Sequence, residues 1–269
     1  DPGNDRMRRR HSSRFTAAVS AQVHDKKVFA LDPRCFPNSK SPMKNETVLA
    51  IESAVGGGSL ALIVDGKAVE KWHGKGKVSR SEELLGQISI IVEKAGLELQ
   101  QISRIAVSNG PGSYTGIRIG MATALGLARA LSIPCVGIFL LRALELGSGP
   151  HGERIIAVPI GRSGYAWRYV KAVAETEGEA GSDALHAGNL QELISFVIAH
   201  PSAIILAQSD MFDDLAAAEE ITDAIEVVDI GRDLAEHVLL ARFREIGLHD
   251  RLGVSVGRLA GEAHGFRGP

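Results

Sequence analysis

The chain has 269 residues, 45% of them hydrophobic and only 5% aromatic, enough to bury a sizeable core without covalent staples. Its two cysteines, Cys35 and Cys135, lie far apart, which excludes a disulfide framework and a metal knuckle and suits a reducing cytoplasm. Residues 1–46 hold ten Lys and Arg against five Asp and Glu, and the remainder twenty against twenty-seven; an acidic body without a basic, aromatic-studded stripe is a poor nucleic-acid binder by itself.

Residues 1–45 combine Met7-Arg8-Arg9-Arg10, Ser12-Ser13, Pro33, Pro37 and Pro42 with no sustained period, the composition of a disordered or unprocessed leader. Met43, just ahead of the first apolar run, is an alternative start, and a basic Arg/Ser leader also fits an organellar transit peptide. Residues 47–51 predict a strand, Gly56-Gly57-Gly58 a turn, residues 60–64 a second strand, Asp65-Gly66 a second turn, and residues 68–72 a third strand. Ser79-Arg80-Ser81-Glu82 reads as a capping box, after which Leu84, Leu85, Ile88, Ile91, Val92 and Ala95 mark a helical face that Gly96 ends. A buried strand at 104–108, a helix at 115–131 and a strand at 135–139 complete an order βββαβαβ. The second half opens in the same way, with strands at 155–160 and 166–174 around Gly161-Arg162-Ser163-Gly164. A helix at 189–199, a strand at 203–207, a helix near 212–219, a strand at 226–230 and a helix at 232–246 follow. The predicted domains are a leader at 1–45, a first lobe at 46–145, a second at 150–247 and a tail at 248–269. No run approaches the roughly 20 apolar residues that cross a bilayer as a helix.

The segment richest in information is Ser108-Asn109-Gly110-Pro111-Gly112-Ser113-Tyr114-Thr115-Gly116-Ile117-Arg118-Ile119-Gly120, where a strand meets a glycine turn that opens a helix. Gly110 and Gly112 can adopt angles closed to other residues, Pro111 fixes one φ, and Ser113 or Thr115 can cap the helix. Free N–H groups at such a start attract anions, so the segment reads either as a packed turn or as a phosphate site. No Gly-Lys-Ser or Gly-Lys-Thr follows, and no acidic residue closes the next strand, so the P-loop and dinucleotide fingerprints are both missing.

These residues resemble a known family, the bacterial TsaB (YeaZ) proteins, within the larger group that includes TsaD and the Kae-type proteins. The similarity spans residues 46–175 and rests on Val48-Leu49-Ala50-Ile51-Glu52-Ser53, Ser81-Glu82 with Leu84-Leu85, the glycine-proline-glycine block through Gly120, and Gly126-Leu127-Ala128. The element pattern and its duplication are those of an α/β protein with two ribonuclease-H-like (actin-like ATPase) lobes. Each lobe is expected to hold a mixed sheet with three antiparallel strands, parallel crossovers and flanking helices. The resemblance implies a part in making threonylcarbamoyladenosine beside the anticodon of tRNA, as a non-catalytic subunit that activates a TsaD-like protein by dimerising with it. A TsaE-like ATPase completes the assembly, tRNA is met only through the complex, and ATP and metal belong to the partner subunits rather than to this chain. The helices at 79–95 and 115–131 would form the partner face, or a homodimer face, through Leu84, Leu85, Ile88, Tyr114, Ile117, Arg118 and Met121.

Departures from the family pattern bear on chemistry. Arg80 stands where relatives often carry a histidine, and Ile160-Gly161-Arg162 replaces an Asp-Ala-Arg turn. The histidine pair four apart that holds metal in TsaD has no counterpart, and His73, His151, His186, His200 and His237 are scattered. Glu52 stands where actin-like phosphotransferases carry a metal-nucleotide aspartate, so Glu52, Ser53, Gly110, Gly112 and Ser113 are the residues nearest any nucleotide. Arg118, on an otherwise apolar helix, is either a rim residue or an anchor for a partner carboxylate. The alternatives in other classes are a nucleotide-binding phosphotransferase, a peptidase, for which no Ser/His/Asp order or His-Glu-x-x-His motif speaks, and a homodimeric interaction protein.

Overall fold

The computed structural model describes residues 46–74, 80–147, 152–161, 163–171, 184–207, 211, 215 and 227–229. In the first lobe β1 (Thr47–Glu52), β2 (Ser59–Val64) and β3 (Lys67–His73) form an antiparallel meander. Asp65 and Gly66 turn β2 into β3 with φ of 50° and 79°, the left-handed pair that a two-residue hairpin needs. Helix α1 (Arg80–Lys94) crosses over to β4 (Arg104–Ser108), which pairs parallel to β1, and α2 (Tyr114–Leu131) crosses to β5 (Cys135–Ile138), parallel to β4. The sheet order is β3-β2-β1-β4-β5. The edge strand β3 is mostly exposed, while β1 is buried along its whole length because both faces of the sheet are covered.

The second lobe holds β6 (Arg154–Ile160), β7 (Gly164–Val170), β8 (Leu185–Gly188), α4 (Leu190–Ile198), β9 (Ile204–Ala207) and β10 (Val227–Asp229), in the order β10-β9-β6-β7-β8. The first three strands pair antiparallel and the last two parallel, so the first lobe's topology is repeated. Asn189 caps α4 in a box with Glu192.

Two elements escape the sequence reading. Helix α3 (Leu140–Gly147) starts one residue after β5, and the predicted order placed nothing there. Its Leu140, Leu141, Ala143 and Leu144 are at most 1% exposed, and they join β1, β2 and β4 of one lobe to β6, β7 and β9 of the other in one apolar cluster. At eight residues the helix directly continues the apolar run of β5, and a short apolar run after a strand cannot be told from the strand's own end by periodicity. Strand β8, Leu-His-Ala-Gly, is four residues long, too short for its alternation to stand out from a loop. The second strand of this lobe, expected to reach 174, ends at Val170.

The leader, the tail, the capping serine at 79, Arg162 and the helix at 232–246 lie outside the described residues, as does most of the helix near 212–219. Leu215 within that last segment, and Met211 just before it, are helical and buried at 0% and 1% exposure. Among the described residues no helix is long and apolar enough to cross a membrane.

Candidate functional site

The end of β1 and the glycine turn before α2 are packed into one another. A Cβ on Gly112 would lie 2.6 Å from the Ala54 carbonyl oxygen, and one on Gly120 would lie 2.1 Å from Ser53 Oγ, so only glycine lets α2 come this close. The Ser113 N–H donates to the Ala54 carbonyl at 2.6 Å, and the Ser53 hydroxyl donates to the Gly116 carbonyl at 2.7 Å. Ser113 is the N-cap of α2, accepting from the Gly116 N–H, so of the two candidate caps the first is used. Gly110 is tied on the other side, its carbonyl accepting from the Leu140 N–H at 2.7 Å. Glu52 and Ser53 are each 1% exposed, and Glu52 Oε1 accepts from the Ala54 and Val55 N–H groups at 2.5 and 3.1 Å. Glu52, Ser53, Gly110, Gly112 and Ser113, expected nearest a nucleotide, thus lie around one turn and are engaged with its neighbours Ala54, Val55, Gly116 and Leu140.

The far side of α2 and the outer side of α1 face solvent. Tyr114 is 63% exposed, Leu85 54%, Ile90 41% and Leu125 40%. The Arg118 guanidinium stands 5.3 Å from the Tyr114 ring centroid, in cation–π range, and no described carboxylate pairs with it. Gly86 and Gly126 sit inside these helices with nothing within 4 Å of an added Cβ. A helix-interior glycine costs about 1 kcal/mol against alanine, and no contact within the described residues calls for either one.

The expected partner residues divide. Leu85, Tyr114 and Arg118 are on the open face. Leu84 and Ile88 are 2% and 1% exposed under the helix, in the lobe's own core, which corrects their assignment to a partner face. Helical geometry explains the error: Leu84 and Leu85 are neighbours in sequence but about 100° apart around the axis, and only one can face outward. Ile117 and Met121 are half-buried, packed on the inter-lobe core and on the core beneath α1 respectively. Gly126 is one of the small residues of α2 expected to invite a second helix; Ile90, Leu125 and Gly86 were missed, and the signal that marks them is an apolar residue or glycine away from the core stripe.

Two matches bear on this segment. A family profile described as "TsaD: tRNA N6-adenosine threonylcarbamoyltransferase" matches residues 77–166, which hold both helices and the turn. The chain is 36% identical over 104 residues to the tRNA threonylcarbamoyladenosine biosynthesis protein TsaB of Haemophilus influenzae, a match covering 38% of this chain and 43% of that protein. Over this segment the chain is similar to the TsaB (YeaZ) proteins. The protein of the same name from Escherichia coli is 33% identical over 101 residues, again 38% of this chain and 43% of the relative. These alignments span less than half the length of the curated TsaB relatives. The solved structure described as YeaZ from Pseudomonas aeruginosa covers 76% of this chain and 94% of that chain with a TM-score of 0.53 at 18% identity, a likeness of fold alone that extends beyond the first lobe.

The second lobe holds a ring cluster with titrating groups that periodicity did not reveal. His186 stacks on Trp167 at 5.8 Å, Phe196 lies 4.7 Å from His186 and 4.4 Å from His200, and Tyr169 lies 4.4 Å from His200. Burial, and then the charge of His200, push the His186 imidazole below its ordinary pKa. The Ser202 hydroxyl and then the Tyr169 phenol hold the exposed Glu153 carboxyl below its usual range. At the lobe junction Glu145 pairs with Arg142, and with Arg168 at 3.4 Å. Among the described residues no group of three or more His, Cys, Asp or Glu converges to hold a metal.

Proposed function

We propose that this chain is a non-catalytic partner subunit in the synthesis of threonylcarbamoyladenosine in tRNA, acting by dimerising with a TsaD-like protein through the outer face of α1 and α2. Cytoplasmic TsaE-like ATPase and tRNA join through that pair, and nucleotide and metal are held by the partners. The curated relatives are described as tRNA threonylcarbamoyladenosine biosynthesis proteins, and the TsaD profile falls on the segment that carries the face. The observation that carries the reading is the face itself: Leu85, Ile90, Tyr114 and Leu125 exposed around two glycines that leave room for another helix. Close interaxial approach depends on small side chains at the crossing, and buried aromatic and aliphatic anchors carry most of the energy of such contacts.

The phosphotransferase alternative needs Glu52 to face a metal-nucleotide. Against it stands the engagement of Glu52 Oε1 by two backbone N–H groups of its own turn and the filling of the glycine turn by Ala54. The deciding experiment is co-purification of residues 43–269 with the TsaD-like protein of the same organism, followed by tRNA modification with and without this chain. A stable pair and modification that depends on it are the expected results; no pair and no dependence overturn the reading. ATP hydrolysis by the chain alone that is lost in Glu52→Gln favours the alternative.

A further inference from the structure

Helix α2 is fastened to the residues that follow β1 at successive turns of one side. Ser113 is tied to the Ala54 carbonyl, Gly116 accepts the Ser53 hydroxyl, and Gly120 lies against the same hydroxyl. Positions 113, 116 and 120 follow the three-and-four spacing of one helix face, whereas Tyr114 and Arg118 lie on another, which is exposed. A helical carbonyl already accepts the N–H four residues on, so Gly116 does not need Ser53 for satisfaction. What the bond adds is orientation. With glycine at 116 and 120 the helix presents no side-chain knob here to key its rotation against β1, and a buried hydroxyl at a fixed point takes that role. Glu52 in turn sets the turn that carries the hydroxyl, by accepting from the Ala54 and Val55 N–H groups.

We infer that Ser53, steadied by Glu52, is the positioning residue of the docking face: it fixes the rotation and depth of the first turns of α2, so that Tyr114 and Arg118 are presented outward as a pair. The inference rests on the docking reading above. It differs from a purely structural role in what it moves, because a structural hydrogen bond contributes to stability, whereas a positioning bond also sets affinity for the partner.

The test is titration calorimetry of the full chain against the TsaD-like protein, well below the unfolding temperature, with Tm measured on the same samples. Ser53→Ala is expected to weaken binding about tenfold, and Ser53→Ala combined with Tyr114→Ala to bind no worse than Tyr114→Ala alone, since neighbours that act through one another are not additive. Gly120→Ala is expected to weaken binding by driving α2 off Ser53, and adding Ser53→Ala to restore part of it by removing the oxygen that the new Cβ meets. Wild-type affinity in Ser53→Ala, or losses that simply add with Tyr114→Ala, overturn the inference while leaving the docking reading intact. Absence of binding by the unmodified chain overturns the docking reading and the inference with it.

Discussion

The two lobes share a strand order and differ in what their helices do with the outside. In the first, α1 and α2 run fifteen and eighteen residues and leave Leu85, Ile90, Tyr114 and Leu125 in solvent. In the second, α4 runs nine residues, buries Leu193, Ile194 and Val197, and turns Gln191, Glu192 and Ser195 outward, with Ile198 at its last turn the one large apolar side chain it exposes. The second is an ordinary amphipathic helix on a sheet; the first pair is apolar on two sides, the pattern of helices that expect to be covered twice. The chemistry of the two lobes follows the same division. The second closes over its own rings, Trp167, Tyr169, His186 and Phe196, while the first keeps an aromatic ring and a guanidinium at its surface. A repeated topology therefore fixes where a helix lies but not whether its outer side is finished.

The comparison presumes that the lobes stand as one unit, and the largest expected effect tests that. Leu141→Ala at the inter-lobe helix is expected to cost about 2–5 kcal/mol by opening a cavity between the sheets, read by urea denaturation. Two separate unfolding transitions in that variant would show that α3 is what couples the lobes. Gly112→Ala is next, at about 1–3 kcal/mol, because its Cβ meets the Ala54 backbone, which cannot swing aside as a side chain can.

Gly86→Ala and Gly126→Ala sharpen the contrast, since their two effects have opposite signs. Each is expected to raise stability by up to about 1 kcal/mol and to weaken binding of the TsaD-like protein, checked by Tm and by titration calorimetry. A gain in stability with unchanged binding would remove these glycines from the docking face.

The smallest effect belongs to the second lobe. His186 has its folded pKa lowered, so its neutral form suits the fold, and the penalty for charging it is absent above the ordinary histidine pKa of 6.5 and grows as pH falls below that value. The denaturation midpoint is therefore expected to fall between pH 7 and pH 5, less steeply in His186→Phe. His200, Glu153 and Lys171 border this cluster, and Glu153, whose own pKa is also lowered, contributes stability that is lost at lower pH, through the carboxylate range. An equal slope in wild type and His186→Phe would place the acid sensitivity elsewhere.

Much of the framework was legible because it is local. The Asp65-Gly66 hairpin, the apolar runs of β1, β2, β4 and β6, the start of α2 at Ser113 and the repeat of the opening strands are all written in neighbouring residues, and turn chemistry and periodicity act at that range. The same range limits what can be read about the site. The glycine-proline-glycine block marks an unusual turn, but whether its N–H groups await an anion or meet a carbonyl depends on Ala54, more than fifty residues earlier in the chain.

By itself, then, the sequence determined the order of most elements, the duplication and the likeness to a known family over the first lobe, since each depends on residue types at fixed short spacings. Tertiary structure alone decided that α3 is a helix whose leucines sit between the two sheets, that Leu84 and Ile88 face inward while Leu85 faces outward, that Glu52 and Ser53 serve the turn and α2, and that His186 and His200 meet across a ring cluster. Those outcomes are set by which surfaces the folded chain brings within contact distance, and burial, unlike periodicity, is a property of the whole packing.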